Sequence, residues 1–142
     1  MASSFDVIVV GAGSVGMPSA MELAEQGLKV LCIDQFASPG QGSNKAAIGG
    51  LRATHSAPAK IRLCLDALDT VRTWKERHGD DLEWFQGGYA FVAYGAAEEK
   101  VLKDLLKVQK AAGLAIDWLD GQTLLERVPG LNPEGLLGGT LS

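Results

Sequence analysis

The sequence predicts an α/β fold that opens on two parallel strands bridged by a helix and continues into an α+β region. Three observations carry this. A β-branched run, Phe5-Asp-Val-Ile-Val-Val10, stops abruptly at Gly11; the chain from Ser14 to Gln26 then turns helical in pattern; and a second apolar run, Lys29-Val-Leu-Cys-Ile-Asp34, follows it. Strands separated by a helix pair in parallel, and continuous rather than alternating apolar runs suit strands covered on both faces.

Each element has a local cause. In the first helix Ala20, Leu23, Ala24 and Gly27 recur at i, i+3, i+4 and i+7, and Gly27 supplies the stop. Pro18 falls in the first turn, where amide donors have no intrahelical acceptor. Residues 35–58 hold Gly, Ser, Pro and Ala without a period, which predicts a long loop with a short helical turn near Lys45. Ile61, Cys64, Leu65, Leu68 and Val71 form the stripe of a helix from Pro58 to His78, ended by Gly79. Gly87-Gly88 is a turn signal before a strand, Tyr89-Ala-Phe-Val-Ala-Tyr94.

A third helix is expected over Ala96–Ala112, with Val101, Leu105, Val108 and Ala112 on one face, a Glu99–Lys103 pair across a turn, and Gly113 closing it. Ala115–Leu119 reads as a short strand. Asp120 is placed to cap a last helix through Arg127, which Pro129 ends. From Gly130 to Ser142 apolar residues continue without a period or a stopping signal, as though more chain should follow. The expected organisation is a first, α/β portion over 1–80 and, over 81–142, the start of a second domain that is incomplete without further chain.

Composition narrows the function classes. A net charge of −4 with no Lys/Arg run argues against a nucleic-acid or anionic-membrane surface. Met1-Ala-Ser-Ser-Phe-Asp6 lacks the basic start of a signal peptide, and Val7–Val10 is too short to span a membrane, so a cytoplasmic location is expected. Cys32 and Cys64 show neither a pairing pattern nor metal spacing; they are expected in the core, and no metal site is expected.

Gly11-Ala-Gly13-Ser14-Val15-Gly16 stands between the first strand and the first helix, the context in which a G-x-G-x-x-G pattern marks a Rossmann-like dinucleotide site. Gly11 permits the tight turn, Gly13 lets the backbone approach a pyrophosphate, and Gly16 lets the helix pack closely on the strand. The helix N-terminus then faces the anion. Asp34 closes the second strand, where a carboxylate accepts from ribose hydroxyls and repels a 2′-phosphate, so NADP is disfavoured. The plainer reading makes these ordinary turn glycines and Asp34 a strand terminator. The fingerprint alone leaves FAD and NAD open, because both carry the ADP it touches.

The chain resembles the glycine-oxidase, sarcosine-oxidase and D-amino-acid-dehydrogenase-like family of FAD-dependent oxidoreductases. Asp6–Gly16, Leu23–Val30, Gly42-Ser-Asn44, Gly49-Gly-Leu-Arg52 and the later Asp120…Leu124–Leu131 stretch carry the likeness. The resemblance implies FAD as cofactor, with Gly42 and Ser43 along its pyrophosphate and ribityl chain and Arg52 near the flavin ring. Gln35 after Asp34 and Gly50 before Arg52 complete the implied cofactor contacts. A guanidinium there suits negative charge on reduced flavin or a substrate carboxylate, whereas a bland reading makes Arg52 a solvated loop residue. His55 is a candidate to face substrate, against the ordinary alternative of a polar loop residue. Trp84, Tyr89 and Phe91 could line an apolar pocket, but aromatics at strand spacing are expected first as core residues.

The resemblance also implies the chemistry: oxidation of the carbon–nitrogen bond of an amino acid or secondary amine by hydride transfer to flavin. Its expected partners are that small molecule and the missing C-terminal half, or another polypeptide completing the fold, since family members are more than twice as long. The chain alone is expected to be inactive. Two rival readings are an NAD-dependent dehydrogenase and a non-catalytic nucleotide-binding subunit of a multi-chain assembly.

Overall fold

In the computed structural model, which describes residues 4–142, the elements run β1 (Val7–Val10), α1 (Gly16–Glu25), β2 (Val30–Ile33), a 3-10 turn (Ser43–Ala46), α2 (Pro58–His78), β3 (Ala90–Ala93), α3 (Ala96–Ala111), β4 (Asp117–Asp120), α4 (Gly121–Arg127) and β5 (Gly138–Leu141). The expectation that Met1–Asp6 carries no leader falls partly on residues 1–3, outside the described residues. The chain divides into two compact units, Met1–Gly50 and Leu51–Ser142.

In the first unit β1 and β2 pair in parallel, from Val7 opposite Val30 to Val10 opposite Ile33. α1 connects them, with Ala20 buried and Pro18 in its first turn. Covering of both strand faces, expected from the unbroken apolar runs, is not what this unit has. Ile8 is 58% and Val10 80% exposed, because α1 shields one face and the other is open within the unit. Gly27 ends α1 in the left-handed region at φ 85°, where a side chain is strained.

The second unit is built on a three-stranded antiparallel sheet in the order β3-β5-β4, with Phe91, Thr140 and Trp118 in one cross-strand row. Its middle strand is the stretch that had looked like an unpatterned tail. Two glycines give β5 little intrinsic strand preference, and tertiary fit is what requires them. A Cβ at Gly138 would lie 2.3 Å from the Leu119 carbonyl oxygen, and one at Gly139 would lie 2.4 Å from that of Phe91 and 2.8 Å from Leu124 Cδ2. Thr140, the next residue of β5, and Leu124, against which Gly139 packs, are fully buried.

Ala53, Ile61, Leu106, Leu114 and Ile116 form the core of this unit, with Cys64, Leu65, Leu68, Val108 and Trp118 packed against them. The α2 stripe therefore packs against this core with Ile61 fully buried and Cys64, Leu65 and Leu68 half-buried. That packing sets the boundary between compact units at Gly50/Leu51. α3 is rotated from its expected face. Val101 is 57% exposed, while Leu106 and Gln109 are buried, the latter donating its side-chain amide to the His55 carbonyl at 3.3 Å.

Helix ends follow local chemistry. Asp120 caps α4 by accepting from the Thr123 amide at 2.9 Å, Gly79 closes α2 at φ 83°, and Lys103 pairs with Glu99 at 2.6 Å. Cys32 and Cys64 are unpaired and half-buried. Among the described residues no helix is long and apolar enough to cross a membrane, and no group of three or more His, Cys, Asp or Glu side chains is arranged to hold a metal.

Candidate functional site

The turn between β1 and α1 is the better-defined of two candidate regions, which lie in different units. Gly11 has φ 105°, a conformation that side chains rarely adopt, and its amide donates to the Ile33 carbonyl at 2.7 Å, locking the turn to the end of β2. Gly16 is the contact point of helix and strand. A Cβ there would lie 1.8 Å from the Gly11 carbonyl oxygen and 3.3 Å from Val9 Cγ1. Three glycines thus meet three separate steric demands, since a Cβ on Gly13 would stand 3.1 Å from Asn44 Oδ1.

Asp34 ties this turn to the second strand. The Ala12 amide donates to its Oδ2 at 2.6 Å and the Phe36 amide to its Oδ1 at 2.8 Å. These amides, Phe36 first and then Ala12, hold the carboxyl below the usual aspartate range, with a smaller contribution from the Gln35 amide. Both oxygens keep a free lone pair, so ribose hydroxyls can still donate to them. Gln35 thus acts here through its main chain.

The long loop folds back on the turn at two places. Gly40 donates its amide to the Ala12 carbonyl at 2.9 Å, and the Ser14 amide donates to Asn44 Oδ1 at 3.1 Å. Asn44 is the residue that sequence reasoning passed over. It sits in the Gly42-Ser43-Asn44 block, and a short amide side chain beside two small residues was the available signal. Ser43 begins the 3-10 turn, and Gly42 lies beside the Phe36 ring, where a Cβ would be 3.8 Å from Cε2. Val15 is the N-terminal flanking residue of α1, with its side chain 78% exposed. Gly50, the last residue of this unit, is exposed.

This geometry fits a pyrophosphate. Among the described residues the amides of Gly13 and Val15 have no partner, and they lie at the start of a helix whose dipole favours an anion. Ser14 offers a third amide, held in the meantime by a neutral side-chain oxygen.

The second region begins at Leu51. Arg52 is exposed, and its Cζ lies 5.6 Å from the Tyr89 ring centroid and 5.2 Å from that of Phe91. His55 is half-buried. Burial, then the charges of Lys60 and Arg52, push its imidazole below the ordinary histidine value, against a hydrogen bond to the Arg52 backbone. Between them Thr54 Oγ1 is buried with no partner among the described residues. Tyr89 and Phe91, expected as core aromatics, stack on each other at 6.1 Å and are half-buried.

The profile of the family described as FAD dependent oxidoreductase (DAO) matches residues 6–142. The chain belongs to this family. Monomeric sarcosine oxidase of Bacillus sp. (strain B-0618) is 31% identical over 133 residues, covering 92% of this chain and 34% of the relative. FAD-dependent oxidoreductase domain-containing protein 1 homolog of Drosophila melanogaster is 29% identical over 141 residues, covering 96% of this chain and 27% of the relative. Among solved structures, L-proline dehydrogenase from P. horikoshii has the same fold over all of this chain and 37% of its own, with a TM-score of 0.90 at 24% identity. Glycine oxidase from Geobacillus kaustophilus matches with a TM-score of 0.79 at 25% identity, over 96% of this chain and 38% of its own. This DAO-family chain spans about a third of the length of the relatives it matches.

Proposed function

We propose that the protein binds FAD through the β1–α1 turn and takes part in oxidising the carbon–nitrogen bond of an amino acid or secondary amine. The observation that carries the cofactor reading is the turn itself: three glycines with three distinct steric demands, free amides at Gly13 and Val15, and a carboxylate at the end of β2. When bound, FAD would supply the hydride-accepting chemistry, and the protein would supply binding and orientation. Gly11, Gly13, Ser14, Val15 and Gly16 would cradle the pyrophosphate; Asp34, followed by Gln35, would take the ribose; Gly42, Ser43 and Gly50 would leave room for the rest of the cofactor.

The amine substrate class is supported by relatives named sarcosine oxidase and a solved neighbour named glycine oxidase. Arg52 would offer its guanidinium to a carboxylate or to reduced flavin, and a neutral His55 would face the substrate. Further chain, of this polypeptide or another, would complete the cofactor and substrate sites. The enzyme would work in the cytoplasm, with neither metal nor nucleic acid as a partner.

Anaerobic addition of sarcosine, glycine or proline to the flavoprotein, purified together with the chain that completes its sites, tests the substrate class. Bleaching of the oxidised flavin spectrum is expected with at least one of them. A flavin that none of these reduces, but that a hydroxy acid or glycerol phosphate does, would sink the amine reading.

A further inference from the structure

Arg52, Tyr89 and Phe91 form a cluster that the nucleotide turn does not use. Phe91 pairs with Thr140 in the β3–β5 ladder, and Tyr89 exchanges both backbone hydrogen bonds with Ser142, at 3.1 and 3.2 Å. Residues two apart on a strand project from the same face, and these two rings stack with 29° between their planes. Arg52 lies over both rings at 5.6 and 5.2 Å. Held by ring faces, a guanidinium keeps its N–H edge for another partner. Among the described residues Arg52 joins no ion pair, although six other cationic side chains do.

We infer that Tyr89 and Phe91 are positioning residues: their stacked rings hold the Arg52 guanidinium with its donor edge free to take a carboxylate, which selects amino acids over plain amines. The selection rests on the proposed amine oxidation, while the anion site itself does not. A bidentate fork bound to a carboxylate gains from a fixed plane, because less rotamer freedom is lost on binding. The aromatic pair supplies that plane.

Calorimetric titration of the purified protein with propanoate, and with uncharged propanamide as its isostere, tests this. Propanoate is expected to bind and propanamide not to. Tyr89→Leu and Phe91→Leu should each weaken propanoate about two- to fivefold, as expected for one cation–π contact, while Tyr89→Phe keeps the wild-type affinity. In an Arg52→Gln background Phe91→Leu should cause no further loss, because the ring acts through the guanidinium. Should the leucine variants fail to fold, Phe91→pentafluorophenylalanine preserves shape while inverting the ring quadrupole, and the same loss is expected. No propanoate binding to the wild type, an equal loss in the Arg52→Gln background, or unchanged affinity with the fluorinated ring would each overturn the inference. The visible spectrum of the same samples reports the flavin separately, so failure of the cofactor reading is distinguishable from failure of the anion site.

Discussion

Replacing Gly16 by alanine puts the nucleotide turn under a calculable strain. The new Cβ would start 1.8 Å from the Gly11 carbonyl oxygen, so α1 must withdraw by roughly 1.2 Å to reach even 3.0 Å. The obstacle is main chain, fixed in turn by the hydrogen bond from Gly11 to Ile33. Overpacking that forces backbone shifts costs about 1–3 kcal/mol, and the rigid partner favours the upper end. Alanine's better helix propensity offsets at most about 1 kcal/mol of this. The net expectation is a loss of about 2 kcal/mol, seen as a fall of roughly 4–8 °C in the thermal midpoint. Circular dichroism measures the midpoint, and gel filtration followed by absorbance at the flavin band measures cofactor retention. Gly27→Ala is the comparison. It strains a left-handed residue at φ 85° but meets nothing within 4 Å, so it should cost about 1–2 kcal/mol and keep the flavin. A Gly16→Ala protein as stable as the wild type and saturated with flavin would refute the reasoning.

Other perturbations separate the remaining claims. Asn44→Ala removes the acceptor of the Ser14 amide and should destabilise the cofactor-free protein by about 1 kcal/mol; thermal melts with and without FAD should show the deficit disappear as the pyrophosphate takes that amide. Asp34 has its folded-state pKa depressed by the Phe36 and Ala12 amides, so its stabilisation is complete above the ordinary aspartate value and is lost as pH falls through the lower folded value. Asp34→Asn should therefore narrow the difference in thermal midpoint between neutral pH and pH about 3. Gly139→Ala drives a Cβ to 2.4 Å from the Phe91 carbonyl in the middle of the sheet and should cost about 3 kcal/mol in urea unfolding, whereas Gly135→Ala, with φ 74° and open space, should cost about 1 kcal/mol.

The first unit was legible because its signals are local. An apolar run, a glycine turn, a helical repeat and a second run each declare themselves within a dozen residues, and β1, α1 and β2 follow that order. α2 was equally legible, bounded by Pro58 and Gly79. What escaped were features decided by distant partners. β5 carries two glycines that look like loop residues until Phe91, Leu119 and Leu124 surround them. The buried face of α3 turned on Gln109, a polar residue that enters the core because the His55 carbonyl receives its amide. Ser14 and Asn44 are thirty positions apart, and nothing in either local stretch announces their hydrogen bond. The exposed Ile8 and Val10 show the converse limit: their pattern states that a face is to be buried without stating what buries it.

FAD held by the turn from Gly11 to Gly16 is the central claim, and the direct measurement is the absorption spectrum of the purified protein with identification of the nucleotide released on denaturation. A yellow protein with oxidised-flavin bands that releases FAD, and loses both on Gly13→Val, is the expected result. A colourless protein that releases NAD, or one whose flavin survives Gly13→Val unchanged, would contradict it.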